Sequence, residues 1–278
     1  MKNSYTFSLI VPTIGRTSEL EYFLTSLTNQ TYKNFEVIII DQNKNTLLEP
    51  IIEKYRDELG IHYIKSNIPG LSVNRNRGIS VSKGDILCFP DDDCSYAPNT
   101  LEEVLLFFSN NADHQIYSCC VKDPVTKKRF LMAIKDSSLN KYNFFNKTIS
   151  IGIFLKPKSI SDVSFDERLG AGSQFGSAEE SDLISKLMEL RYNGKYFANK
   201  YVYHEYPSIV PNLNRYYTYA LGYGAFMKKE IIARKKYRFI FSFMLNLIGR
   251  TLFSVLPWKK RKFIWMSLKG QIEGFLKY

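Results

Sequence analysis

The chain is short of the residues from which closed metal and disulfide frameworks are made. Its four cysteines, Cys88, Cys94, Cys119 and Cys120, form no Cys-x-x-Cys pair and have no histidine at zinc-finger spacing, which excludes a structural zinc module. No secretion-type leader is legible, because residues 1–6 are polar and the first apolar run covers only 7–11. The thiols are therefore expected to be reduced, in a cytosolic compartment. No internal repeat is evident. Acids are scarce at one end: residues 228–278 hold 13 Lys and Arg against two Asp and Glu, whereas residues 1–227 balance at 25 of each. The net charge of +11 lies wholly in that basic tail. An enzyme acting on nucleic acid would carry positive charge into its catalytic body, so nucleic acid is not expected as a partner.

What is present suits a packed α/β protein. The 278 residues are 45% apolar, enough for one large domain, or one domain with an appendage. Apolar runs at 7–11, 37–40 and 86–89, with a shorter one at 62–64, read as buried strands. Between them, helical spacing recurs. Leu20, Phe23, Leu24 and Leu27 share one face, with Ser18 and Glu21 placed for a capping box. Residues 47–59 and 71–81 read as two further helices, the second with Ser72 as a cap. Pro98 is placed to start another, which turns Leu101, Val104, Leu105 and Phe108 inward. Strand and helix in alternation predict a mostly parallel, doubly wound sheet. Beyond residue 116 the alternation weakens. Strands are expected at 116–121, 150–155 and 201–203, an irregular polar stretch at 122–147, and a Gly-rich loop at 165–175. Helices are expected at 179–192, with Leu183, Leu187 and Leu190 on one side, and at 215–232.

The run at 86–89 ends in Asp91-Asp92-Asp93. Three adjacent carboxylates repel one another, and each is biased towards its protonated form. A divalent cation with oxygen ligands relieves that repulsion, and Mg²⁺ commonly sits on one or two carboxylates and substrate phosphates. A solvated acidic turn is the alternative, since Asp caps helices and makes turns. The end of a strand in an open α/β sheet is also where such folds hold ligands.

Several short stretches, taken in order, resemble family 2 glycosyltransferases of the GT-A fold. They are Val11-Pro12-Thr13-Ile14-Gly15-Arg16, Gln30-Thr31-Tyr32-Lys33-Asn34-Phe35-Glu36 with the strand to Asp41, and Asn74-Arg75-Asn76-Arg77-Gly78, which is similar to an Arg-Asn-x-Gly turn. Lys83-Gly84-Asp85 and the Asp triplet are similar to the Gly-Asp and DXD elements. Phe165 to Gly170 and Gly176 to Leu183 are similar to the acceptor-side acidic motif. The resemblance runs from about residue 7 to about residue 205 and extends to bacterial surface-polysaccharide enzymes.

The resemblance implies roles. Pro12, Thr13, Gly15, Arg16 and Asp41 would hold the nucleotide, though Gln42 stands where a second Asp is frequent, which leaves the base open, with uridine favoured. Arg75 would face the diphosphate, for which a guanidinium fork is suited. Asp91, Asp92 and Asp93 would serve the donor, with Asp91, Asp93 and His204 on Mg²⁺ or Mn²⁺. In an inverting transferase one carboxylate takes the acceptor's proton. Glu180 falls on the family's Asp at this position, with Glu179 and Asp182 as the other candidates. Acids at a helix start, stabilised by its dipole, are the structural alternative for all three. The aromatics Phe144, Phe145, Tyr216, Tyr217 and Tyr219 are placed either to stack on sugars or, for most of them, to pack in the core.

In the tail, residues 238–256 are apolar but broken by Asn246 and Arg250, which makes a poor spanning helix. Basic clusters at 234–236 and 259–262, with Trp258 and Trp265, suit a helix lying on an anionic bilayer. Packing against the catalytic body is the alternative. The expected organisation is a catalytic domain at 1–227, with a nucleotide-sugar half at 1–121 and an acceptor half at 122–227, then a basic amphipathic tail at 228–278. The expected activity is metal-dependent, inverting transfer from a nucleotide-diphospho-sugar (a UDP-sugar favoured) to a glycan or lipid-linked glycan, in the cytoplasm on the inner face of the cell membrane. Two rivals remain. A sugar-phosphate nucleotidyltransferase would have a Gly-rich, basic loop after the first strand, which Pro12 to Arg16 lacks. A non-catalytic membrane-bound protein would not need the acidic motifs.

Overall fold

A strand buried on both faces belongs in the middle of a covered sheet, and the mostly apolar residues 7–13 make such a strand. They form β1 (Phe7–Thr13), every residue of which is buried. The computed structural model describes residues 4–130, 133–206, 212–255 and 261–278. The chain divides into two units, one of residues 1–69, 73–165 and 183–207, the other of residues 70–72, 166–182 and 208–278.

The first unit holds the sheet. β1 pairs in parallel with β2 (Phe35–Asp41), β2 with β3 (Ile61–Lys65), and β1 with β4 (Ile86–Cys88). The register sets Thr13 beside Asp41 and Asp41 beside Lys65, so the C-terminal ends of three strands line up. Helices α1 (Ser18–Thr28), α2 (Glu49–Leu59) and α3 (Leu71–Val81) make the crossovers. β5 (Cys94–Tyr96), α4 (Thr100–Asn110), β6 (Ile116–Lys122), β7 (Ser137–Leu139), β8 (Ile153–Leu155), α5 (Glu179–Glu189) and β9 (Gly194–His204) follow. Beyond β4 the sheet runs through β8, antiparallel to both β4 and β6. It continues through β6 parallel to β9, and ends with β9 antiparallel to β5 and β7. The fold is α/β, with a mostly parallel central sheet.

Several local expectations are corrected. No capping box forms on α1: Glu21 reaches Lys54 on α2, and Ser18 Oγ turns to Glu19 at 3.1 Å. The helix after Pro98 starts at Thr100, because Ala97 O accepts the Thr100 N–H in a turn that precedes it. Ser72 caps nothing; it donates to Leu169 O at 2.6 Å. Only residues 153–155 of the expected 150–155 strand are extended, after one 3₁₀ turn at Ser150–Gly152. Leu190 lies past the end of α5 and is exposed. The 201–203 strand is the end of the much longer β9. Asn74 to Gly78 is not a turn but part of α3. Gly78 is there for close packing: a Cβ at this position would lie 2.3 Å from Ile10 Cγ2, so α3 lies closer to β1 than any side chain allows.

In the second unit α6 (Leu213–Lys228) runs into a π-helical turn, Lys229–Ala233, and is followed by α7 (Arg238–Val255) and α8 (Arg261–Lys277). α6 and α8 meet backbone to backbone. A Cβ on Gly274 would sit 2.0 Å from Leu221 O, and one on Gly224 would sit 2.1 Å from Gln271 O. Small residues make such close approach possible. α7 is different, since Phe243 is its one buried residue, while Phe241, Leu245, Ile248 and Leu252 are exposed. Its 18 residues have a mean hydropathy of 1.2, enough by length and composition to cross a membrane. Its two interrupting polar groups satisfy each other, with Arg250 Nε donating to Asn246 Oδ1 at 2.8 Å. Trp258, Lys259 and Lys260 lie outside the described residues.

Candidate active site

β4 stops at Cys88, and the buried Phe89 and Pro90 carry the chain to the three carboxylates. They diverge, and each faces a cation, with Arg16 shared by Asp92 and Asp93. Asp91 Oδ1 accepts from Arg75 Nη2 at 2.9 Å. Asp92 turns inward, accepting from Thr13 Oγ1 at 2.6 Å and Arg16 Nη1 at 2.7 Å. Asp93 pairs with Arg16, and with His204 Nε2 at 3.0 Å. The repulsion expected within the triplet is thus relieved by two arginines and a histidine. Burial nevertheless raises the Asp92 carboxyl, against the pull of Thr13 and Arg16. At Asp93 burial acts in the same direction, but His204 and Arg16 outweigh it and hold the group below the usual carboxylate range.

Arg75 is fully buried, stacks 5.3 Å from the Phe165 ring, and presents Nη2 to Asp91. Its place on α3 is kept by Asn76, which donates to Phe165 O at 2.9 Å and accepts the Phe165 N–H at 2.8 Å.

His204 reaches Asp93 because of strand register. β9 runs antiparallel to β5 with Cys94 opposite His204, so the end of one strand meets the start of the other. Its Nδ1 lies 2.6 Å from Glu205 O. That carbonyl can only accept, so Nδ1 carries a proton and Nε2 is the atom turned to the acids. Burial lowers the imidazolium's affinity for its proton, but Asp93 more than restores it, and the pKa is raised. The strand exit is tied down by Asp123, which accepts the Tyr206 N–H at 2.5 Å and the Thr126 N–H; these bonds hold its carboxyl down at about 2. Phe130 packs edge-on to His204 at 5.5 Å.

Asp91, Asp93 and His204 each offer one ligand atom, and these atoms all lie within 4.8 Å of one another. Two carboxylate oxygens and an imidazole nitrogen whose other nitrogen is fixed by a carbonyl suit Mn²⁺, and the oxygens suit Mg²⁺. The residues fit such an ion.

Asp41 is fully buried and heavily engaged. It accepts from Asn43 N and Nδ2, both at 2.7 Å, from Tyr63 Oη at 2.5 Å and from Lys65 Nζ at 2.7 Å. Burial alone would raise its carboxyl, yet Lys65, Tyr63 and Asn43 hold it below the usual range. Asn43 also accepts the Gly15 N–H at 2.8 Å, tying the turn after β1 to the turn after β2. The sequence reading misses Asn43, Tyr63, Lys65 and Asp123; the Asp-x-Asn spacing of an Asx turn was the one available signal.

The second acidic group opens α5. Glu179 is buried, and its Cδ would lie 3.3 Å from a Cβ on Gly170; Glu180 is half-buried. Asp182 is buried and ion-paired, with Lys229 Nζ at 2.7 Å and Arg234 Nη2 at 2.8 Å. Of the aromatics, Phe144 is fully buried, and Tyr217 donates to Glu273 at 2.9 Å. Phe145, Tyr216 and Tyr219 are exposed.

The family model "Glycosyl transferase family 2" matches residues 8–169. A curated relative from Campylobacter jejuni, GalNAc(5)-diNAcBac-PP-undecaprenol beta-1,3-glucosyltransferase, is 26% identical over 168 residues, covering 58% of this chain and 54% of its own length. The matched stretches span 35%, 10% and 15% of the length of the first three curated relatives. Among solved structures, Staphylococcus aureus TarS in complex with UDP-GlcNAc has a TM-score of 0.60 at 19% identity, covering 80% of this chain and 66% of that one. A mannosyltransferase from Pyrobaculum calidifontis in complex with GDP-Man and Mn²⁺ has a TM-score of 0.63 at 15% identity, covering 82% and 64%. These two likenesses show the fold, which is of the GT-A type.

Proposed function

The chain belongs to glycosyl transferase family 2, and from that premise we propose that it moves a sugar from a nucleotide-diphospho-sugar to a hydroxyl with inversion at the anomeric carbon. The observation that carries the reading is the convergence of Asp91, Asp93 and His204, beside the buried Arg75, at the end of β4. These three residues would hold Mg²⁺ or Mn²⁺, which when bound neutralises charge on the departing diphosphate. Arg75 holds Asp91 in that cluster and would add positive charge near the same phosphates. The Asp41–Asn43–Gly15 network fixes the two turns that bracket the nucleotide, with Pro12 and Thr13 on the same strand end, and Arg16 holds Asp92 and Asp93 in place.

Glu180 is the base of choice. Its carboxylate takes the acceptor hydroxyl's proton as that oxygen bonds to the anomeric carbon; the carbon–oxygen bond to the diphosphate breaks, and the nucleoside diphosphate leaves with the bonding pair. Glu179 is second. Asp182 is least suited, because both its oxygens already face cations. UDP is the favoured donor nucleotide, a reading supported by the TarS complex with UDP-GlcNAc. Purified protein offered a panel of nucleotide-sugars is expected to hydrolyse one of them slowly, with Mn²⁺ or Mg²⁺ and not with EDTA. Equal rates in both conditions would remove the metal from the mechanism, and pyrophosphate-dependent nucleotide release would replace the transferase reading.

The acceptor is proposed to be a glycan held at the inner face of the cell membrane, on a lipid as in the C. jejuni relative's name, within surface-polysaccharide synthesis. Between Ile231 and Ile272 there are ten Lys and Arg and no Asp or Glu. An apolar groove of about 360 Å³ lies there, lined by α7 residues such as Phe243 and Leu247 and by Ile272 and Leu276 of α8. An exposed apolar helix in a cationic setting is the chemistry of a surface resting on anionic lipid. On this reading residues 1–227 are the catalytic domain, 1–121 serving the donor and 122–227 the acceptor, and 228–278 bring the membrane contact. Replacing exposed Phe241 and Leu252 together by Ser is expected to weaken flotation with phosphatidylglycerol vesicles about tenfold or more, at roughly 0.8 kcal/mol per CH₂ withdrawn from the membrane. Undiminished flotation would end the membrane reading and leave the transferase reading untouched.

A further inference from the structure

Tyr278 follows α8 and stands among four side chains of the acidic loop and the π-turn. Its hydroxyl donates to Asp166 Oδ2 and meets the Arg168 guanidinium. Arg168 also lies over its ring at 4.0 Å, Phe175 packs on it at 5.3 Å, and Lys229 Nζ is 5.5 Å from the ring centre. Asp166 then passes the contact on. It accepts from Arg168 Nε at 3.2 Å and from Lys229 Nζ at 2.8 Å. The same Lys229 Nζ lies 2.7 Å from Asp182 Oδ2, and Arg234 Nη2 holds the other Asp182 oxygen at 2.8 Å. Asp182 is in the first turn of α5, its N–H donating to Ala178 O at 3.0 Å. That turn carries Glu179 and Glu180.

The contacts form one continuous line from a tyrosine to a helix start about a hundred residues earlier in the chain. The cations of the line, Arg168, Lys229 and Arg234, face Asp166 and Asp182, and Arg234 reaches Glu230 as well. Burial would raise the Asp166 carboxyl, but Arg168, Lys229 and the Tyr278 hydroxyl hold it far below the usual range, so it stays ionised. Burial beside Asp166 raises the phenol, so Tyr278 stays a donor. Half-buried ion pairs are a weak source of stability, yet they fix geometry well when both ends are held, and here Lys229 is gripped from two sides.

We propose that Tyr278 is a positioning residue for the base. It fixes Asp166, Asp166 and Asp182 fix Lys229, and so the first turn of α5 is held where Glu180 meets the acceptor hydroxyl. The inference rests on the reading of Glu180 as the base. Tyr278 itself touches no reacting atom, and its removal is read through placement of another group, for which small displacements cost rate steeply.

The test uses the full chain and four variants, Tyr278→Phe, Lys229→Gln, Lys229→Arg and Glu180→Gln. Each is measured for kcat, donor KM and hydrogen exchange at the amides of residues 179–183. Tyr278→Phe is expected to lower kcat about tenfold with donor KM unchanged, and to speed exchange in that turn and not in α4. Lys229→Gln is expected to lower kcat about a hundredfold, with Lys229→Arg recovering most of it. Unchanged kcat in Tyr278→Phe overturns the proposal, as does an exchange increase spread over the whole chain with kcat and KM failing together. If Glu180→Gln keeps its turnover, the base has been misassigned; that outcome is separate, because local exchange at 179–183 still reports whether Tyr278 holds the turn.

Discussion

Asp93→Asn is expected to abolish tight Mn²⁺ binding and to lower kcat/KM about a thousandfold, several kcal/mol of lost transition-state stabilisation. The substitution keeps the shape of the side chain and removes only its charge. Asp93 is the one acid of the triplet that touches both His204 and Arg16. Its neutral amide would leave Asp91 and His204 as a two-point site, and would leave Arg16 paired with Asp92 alone. Asp92→Asn is the control. That carboxyl is buried against Thr13 and Arg16, so its loss is expected to disturb the turn after β1 and to leave Mn²⁺ affinity within a few fold. Mn²⁺ titration followed by electron paramagnetic resonance measures both. If Asp93→Asn binds Mn²⁺ as the parent does, the triad Asp91, Asp93 and His204 is an ion-pair cluster and not a metal site.

The parts of this arrangement that were legible in the sequence are the local ones. β1, α1 and β2 follow from apolar spacing within windows of a dozen residues, and the Asp triplet announces itself at the end of β4. Three other features depend on partners far away in the chain. β9 is 11 residues long, but its polar positions Lys195, Asn199 and Lys200 break any period-two pattern, so only its last apolar residues stand out. The pairing of Cys94 with His204 is a register, and registers between strands a hundred residues apart leave no mark on a single sequence. Arg75 reads as a phosphate-facing residue, but nothing local says that its guanidinium would be buried against Phe165 and turned to Asp91.

The tail shows the same limit from the other side. Composition correctly marks α7 as apolar and cationic-flanked. It does not show how α8 is placed: that helix carries Arg261, Lys262, Lys269, Glu273 and Lys277 and packs on α6 through Gly270 and Gly274. Glycine spacing was the available signal, and it is weak unless the opposing backbone is known. For the acids Glu179, Glu180 and Asp182 the sequence offers only the resemblance, which puts Glu180 first, Glu179 second and Asp182 third. What sets Asp182 apart is Lys229 and Arg234, distant cations that occupy both of its oxygens.

That separation makes the sharpest expected contrast. Glu180→Gln is expected to lower kcat by about 10²–10⁴ while nucleotide affinity stays within a few fold, because the amide keeps size and cannot take a proton. Glu180→Asp is expected to keep part of the activity. It restores the residue type that the family has at this position, and the shorter arm costs placement rather than chemistry. Asp182→Asn is expected to behave differently. Removing the Asp182 charge leaves Lys229 with Asp166 and Arg234 with Glu230 as their remaining carboxylates, so stability is expected to fall by about 1–3 kcal/mol. Its signature is a lowered melting temperature with kcat falling and donor KM rising together. Measured side by side with isothermal titration of the nucleoside diphosphate, the three variants assign the roles. If Asp182→Asn were fully folded and dead while Glu180→Gln turned over, the proton would go to Asp182 and the ion pairs around it would have to open during catalysis.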